Sequence, residues 1–171
     1  GRVLYRQRQY TQAVTYFERA HQLAPDDPEA LRWLARGLLG AGQPRQILDL
    51  LPPEPPRKRE NAWIHMLRAM AYDARDRVPE AVGELQRVVE LDPMYPEAHY
   101  ALGFIAWSTR GAEAAEKWFR KELTLNPTHV GARYYLAEIM ESQGRLEQAD
   151  SILEGLARDA PQSFLTQFGL G

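Results

Sequence analysis

The chain has 171 residues, a net charge of −2, no cysteine, and 44% hydrophobic against 26% charged residues. That balance supports folding rather than disorder, and the missing cysteine excludes disulfides, thiolate nucleophiles and thiolate metal centres. A pI near 6.1 gives no field for drawing in nucleic acid or anionic lipid, and no apolar run approaches the roughly 20 residues of a membrane span, so no membrane insertion is expected.

A 34-residue spacing runs through the chain. Ala13, Ala81, Ala115 and Ala149 fall on it, as do Pro25, Pro93, Pro127 and Pro161. A large apolar column steps through Phe17, Leu51, Leu85, Phe119 and Leu153, and a small column through Gly1, Ala35, Ala69, Gly103 and Ala137. Such a period predicts stacked supersecondary units. Taken in order, residues 1–27 give the tail of one helix and a second from Thr11 to about Ala24. Residues 28–61 begin a helix on Leu31, Leu34, Ala35 and Leu38, and a second from about Arg45 that must stop at Pro52-Pro53. Pro52–Glu60 is expected to be extended, with polyproline character at Pro55-Pro56.

Residues 62–95 repeat the two-helix pattern and stop at Leu91-Asp92-Pro93, with Arg68 in a column held by Leu34, Leu102 and Leu136. In residues 96–129, Pro96 is expected to open a helix, Gly111 to end it and Asn126-Pro127 to stop the next. Residues 130–163 break at Gly144 and stop at Ala160-Pro161. Residues 164–171 read as the start of a sixth unit, since Leu170-Gly171 matches Leu102-Gly103, so the chain is expected to be a piece of a longer array.

The run Leu102-Gly103, Ala106, Ala115, Phe119 and Pro127 resembles the tetratricopeptide repeat, a 34-residue helix–turn–helix unit. Tyr72, Ala81, Leu85 and Pro93 fit it too, as do Leu136-Ala137, Ala149, Leu153 and Pro161, so the resemblance covers essentially the whole chain. It implies an all-α, right-handed α-solenoid of about five repeats whose first helices line a concave face. On those helices the inward stripes are Arg32, Arg36 and Leu39, then Trp63, Met66, Met70 and Asp73, then Tyr100, Phe104 and Trp107, then Tyr134, Glu138 and Glu141. The expected groove is cationic at one end, apolar and aromatic in the middle, and acidic at the other.

Catalytic signatures are sparse, and neither catalytic residues nor a cofactor or metal site is expected. His65 and His99 sit one period apart, on the order of 10 Å by helix packing distances, too far to share a metal at about 2 Å each. They read as packing residues, and His21 and His129 have no matching partners. Asp26-Asp27 reads as a solvated turn, and Arg57-Lys58-Arg59 as a soluble loop with no interleaved aromatics for nucleic acid. Members of the resembled family that hold acidic C-terminal tails do so with Lys, Arg and Asn on first helices. Here those faces carry Trp, Met, Tyr and Phe, and the only asparagines are Asn61 and Asn126. Neither that clamp nor the asparagine-lined superhelix of O-linked N-acetylglucosamine transferase is expected.

The function expected is therefore a non-catalytic scaffold that binds a protein or peptide partner, as an extended segment or amphipathic helix along the groove. The residues leave three other readings open: a recruiting arm of a larger enzyme, a binder of a small apolar molecule, and end-to-end self-association through Phe164, Leu165 and Phe168. Arginine dominates the basic residues, with lysine only at positions 58, 117 and 121, a bias that fits a GC-rich bacterial genome. The compartment is open: lack of cysteine suits the cytoplasm and equally permits the periplasm.

Overall fold

A computed structural model describes residues 1–53, 55, 58–109 and 111–160. The expected features at Pro56, Arg57, Pro161 and residues 164–171 lie outside these. The described residues form ten α-helices: α1 (Arg2–Arg6), α2 (Tyr10–Leu23), α3 (Pro28–Gly40), α4 (Pro44–Leu50), α5 (Ala62–Asp73), α6 (Val78–Leu91), α7 (Ala98–Thr109), α8 (Ala112–Leu125), α9 (Val130–Ser142) and α10 (Leu146–Asp159). The fold class is the all-α solenoid. Two compact units divide the chain, Gly1–Tyr95 and Pro96–Gly171. In the first, each helix from α1 to α6 packs on the next and α3 also meets α5; in the second, α7 to α10 pack in order and α7 also meets α9. Contact between the first helices of successive hairpins is what stacking repeats requires.

The two columns read from the sequence meet in space. Phe17, Leu51, Leu85 and Phe119 are all buried, and glycines of the small column supply the notch for the two rings. A Cβ on Gly1 would lie 2.6 Å from the Phe17 ring, and one on Gly103 would lie 2.7 Å from two carbons of Phe119. Each pair is sixteen residues apart, and the rule holds along the chain. Where the large column holds Phe (17 and 119) the small one holds Gly, and where it holds Leu (51, 85 and 153) the small one holds Ala (35, 69 and 137). The glycines are there because the larger ring leaves no room for a methyl group.

The turns inside the hairpins repeat as well. Gln9, Gln43, Arg77, Gly111 and Arg145 donate their backbone N–H to the carbonyls of Leu4, Leu38, Tyr72, Ala106 and Met140, five residues back in every case. In the turns that end on Gln9, Gln43, Arg77 and Arg145 the residue just before the donor is left-handed, the conformation that closes a helix C-terminus. Gly42 (φ 69°) and Gly144 (φ 74°) take that conformation freely, whereas Arg8 (φ 60°) and Asp76 (φ 56°) adopt it with a side chain in place.

Three sequence expectations need correction. Pro96 does not open α7, which starts at Ala98; Glu97 stands between them at φ 68°, a left-handed turn incompatible with a first helical residue. Asp27 is no idle turn residue: its carboxylate accepts from Glu29 N at 2.9 Å and caps α3, with Pro28 at the first helical position. The stretch after Pro53 is not extended throughout, because Arg59–Asn61 form a 3₁₀ turn.

Arg68 is buried, and its reason lies in the short helix α4. Nη1 donates to the carbonyls of Leu51 and Pro52, both at 3.4 Å, where the chain leaves α4. Nε donates to Glu84 Oε1 at 2.9 Å and Nη2 to the Tyr72 hydroxyl at 3.0 Å. His65 Nδ1 meets the other Glu84 oxygen at 2.6 Å. Burial would lift the Glu84 carboxyl, yet hydrogen bonds from His65 and Arg68 and their charges outweigh it and hold the pKa below the usual value. One period on, Leu102 and Trp118 stand in for Arg68 and Glu84, and His99 packs on the Trp118 ring at 5.9 Å. Burial, then the charge of Lys121, keeps His99 below its ordinary pKa.

Candidate protein-binding surfaces

In the first unit, α3 and α5 carry Arg32, Arg36, Trp63, Met66 and Met70. They do not form one exposed stripe. Trp63 is only 6% exposed and belongs to the core with Leu34, Leu38 and Leu67. Its role as a free anchor is therefore corrected. The ring is roofed by Arg32, whose guanidinium lies 4.7 Å from its centroid, and Tyr95 packs against the same cluster. Arg32 is held by Glu29 at 3.3 Å. A recess of about 490 Å³ opens here, lined by Arg32, Arg59, Glu60, Trp63, Asp92 and Tyr95. The Arg59–Asp92 pair, at 3.1 Å, forms part of its wall. The Tyr95 phenol is raised by burial, with Arg32 and Arg36 pulling the other way. Arg36 is exposed and lies 5.7 Å over Trp33, Met66 is half-buried, and Met70 is 42% exposed.

In the second unit, α7 and α9 bring Tyr100, Phe104, Tyr134 and Glu138 toward one another. The sequence of α7 has no charged side chain, which marks a helix to be covered on every side. One face stays uncovered, and Phe104 is 40% exposed on it. Phe104 stands edge-on to Tyr135 at 5.5 Å and 6.5 Å from Tyr100, and Tyr134 stands edge-on to Tyr135 at 5.4 Å. Tyr100 and Trp107 are half-buried, each with one side on the core of α8 and α9. The Tyr100 phenol is pushed up to about 12 by burial, aided by Tyr135 and Glu97.

Sequence reasoning missed Tyr135, which stacks on Phe119 at 5.6 Å and 11° and joins the exposed rings to the core. A signal existed, because Trp33, Leu67 and Tyr135 share one apolar column, large at every step but Ala101. It also left His129 without a partner. In the structure His129 Nδ1 accepts from Ala132 N at 3.0 Å and caps α9, Nε2 lies 3.4 Å from Glu97, and the ring packs on Tyr100 at 4.6 Å with a 34° tilt. The neutral ring with its proton on Nε2 satisfies both contacts.

Among the described residues, no helix is long and apolar enough to cross a membrane. The description "Tetratricopeptide repeat" belongs to a family model that matches residues 4–57 and 110–165, and a second model, "TPR repeat", matches 69–109. Human tetratricopeptide repeat protein 7B is 33% identical over 100 residues, 58% of this chain and 11% of that protein. Cellulose synthase operon protein C of Xanthomonas axonopodis pv. citri is 30% identical over 138 residues, 76% of this chain and 9% of that protein. The chain thus spans about a tenth of the length of these relatives. A crystal structure of a thermophilic TPR protein from Thermus thermophilus superposes with a TM-score of 0.75 at 28% identity, covering 97% of this chain and 92% of that one. With repeated hairpins, their notched columns and these matches in hand, the chain belongs to the tetratricopeptide repeat family, whose fold serves as a scaffold for protein–protein interaction.

Proposed function

We propose that the chain is a non-catalytic scaffold that binds an apolar peptide segment or amphipathic helix through the first helices of its repeats. In the second unit the contact is made by Tyr100, Phe104, Trp107 and Tyr134, with Glu138 at its edge. In the first unit Met66 and Met70 supply adaptable apolar surface, and Arg36, with Arg32 beside it, orients an acidic group of the ligand. Trp63 supports that patch from beneath and does not touch the ligand.

One observation carries this reading: α7 has no charge on any face, yet its Phe104 side stands open to solvent. A wall meant to stay wet would be polar, and exposed aromatic patches mark places where another molecule sits. Truncating an aromatic anchor of this kind costs about 2 kcal/mol, or roughly 30-fold in affinity. The test is calorimetry with a partner recovered by affinity capture, comparing wild type with Phe104→Ala and Trp107→Ala. Loss of at least tenfold in affinity by Phe104→Ala at unchanged melting temperature supports the reading; equal affinity in both variants refutes it.

A further inference from the structure

The aromatic face of the second unit has a charge signature as well as an apolar one. Glu138 and Glu141 follow Tyr134 by four and seven residues, which puts them on the same stripe of α9. Three carboxylates of this unit have cationic or imidazole partners: Glu116 has Arg120 and Arg145, Asp159 has Arg133, and Glu97 has His129. Glu138 and Glu141 form no ion pair among the described residues. No lysine or arginine stands on α7, and the one arginine of α9, Arg133, is turned to Asp159 at 3.0 Å.

The phenols feel this imbalance. Tyr134 is raised by burial and then by the hydrogen bond and charge of Glu138, with Tyr135 and Glu141 adding to it. Tyr135 is raised by burial and by Glu138. Ring faces bordered by negative charge attract a cation, and a guanidinium can stack on an aromatic face while its N–H groups reach a carboxylate.

We propose that this face receives an arginine or lysine side chain of the partner, held against the Phe104–Tyr135 ring pair with its charge toward Glu138 and Glu141, so that the partner segment is basic and amphipathic. The inference rests on the reading of this face as a peptide-binding surface and adds the chemistry of the peptide.

Two synthetic amphipathic peptides test it, with identical leucine positions and either arginine or the neutral isostere citrulline at the polar positions. Calorimetry is run with the full chain as wild type, Phe104→Ala, and Glu138→Gln with Glu141→Gln, each checked by its melting temperature. The arginine peptide is expected to bind about tenfold tighter than the citrulline peptide. The double glutamine variant should erase most of that ratio while leaving citrulline binding unchanged, and raising salt should shrink it. Equal binding of both peptides, weakened for both by Phe104→Ala, overturns the cationic preference and leaves the peptide-binding face standing. A preference for arginine that survives both Phe104→Ala and the glutamine variant places the cation elsewhere and overturns the proposal. Binding of neither peptide overturns the proposal and counts against the peptide-binding face itself.

Discussion

Replacing Gly103 by alanine sets two known effects against each other. Glycine inside a helix costs about 1 kcal/mol relative to alanine, so propensity alone makes Gly103→Ala stabilising. The new Cβ, however, would stand 2.7 Å from Cδ1 and Cε1 of Phe119 and 3.1 Å from Cζ, where carbon atoms prefer about 3.5–4.0 Å. Phe119 has no solvent exposure and lies flat against Tyr135, so its ring has nowhere to retreat. Overpacking of this kind costs about 1–3 kcal/mol, and the blocked retreat points to the upper half of that range. The net expectation is a loss of about 1–2 kcal/mol.

In a Phe119→Leu background the same change should reverse sign. The pair then becomes Ala and Leu, the combination the chain uses at 35 and 51, at 69 and 85, and at 137 and 153. Gly103→Ala should there stabilise by about 0.5–1 kcal/mol, giving a coupling of about 1.5–3 kcal/mol. Urea unfolding of the four proteins, read as midpoints at constant slope, measures it. Equal effects of Gly103→Ala in both backgrounds would refute the claim that ring size dictates the glycine.

Further outcomes follow from the same contacts. Arg68→Leu should cost about 3–5 kcal/mol, because it strips Glu84 of its guanidinium and the Leu51 and Pro52 carbonyls of their donor, and Glu84→Leu added to it should recover much of the loss in chemical denaturation. Glu84 has a folded-state pKa below its ordinary 4.5, so its contribution is present above that pH and is lost as pH falls through the lower folded value. Acid titration of stability should therefore be shallower below pH 4.5 in Glu84→Gln than in wild type. Asp76→Gly should stabilise by about 1 kcal/mol by relieving a left-handed side-chain residue, seen as a melting temperature raised by about 2–4 °C.

The repeat architecture was legible because it depends on residues that recur: the small and large columns, and the prolines that close each second helix. The end of α4 at Leu50 was legible for the same local reason, since Pro52 and Pro53 forbid continuation. The Arg68–Glu84–His65 network was not, because its logic lies in two carbonyls that only the folded chain brings to Arg68. The turn positions at Arg8 and Asp76 were hidden by residues that do not advertise a left-handed conformation. At the candidate site, helical spacing grouped Tyr100 with Phe104 and Tyr134 with Glu138, but spacing says nothing about what covers a ring. Trp63 has the right position for an anchor but is roofed by Arg32, and Tyr95, a loop residue some thirty positions away, packs on the same core cluster.

The most direct test of the account is where a bound partner leaves its mark. With isotope-labelled protein, amide and side-chain shifts on adding a captured partner should gather at Tyr100, Phe104, Trp107, Tyr134 and Glu138. Shifts gathered instead around exposed apolar residues elsewhere, such as Tyr16, Leu23 or Leu146, would contradict it.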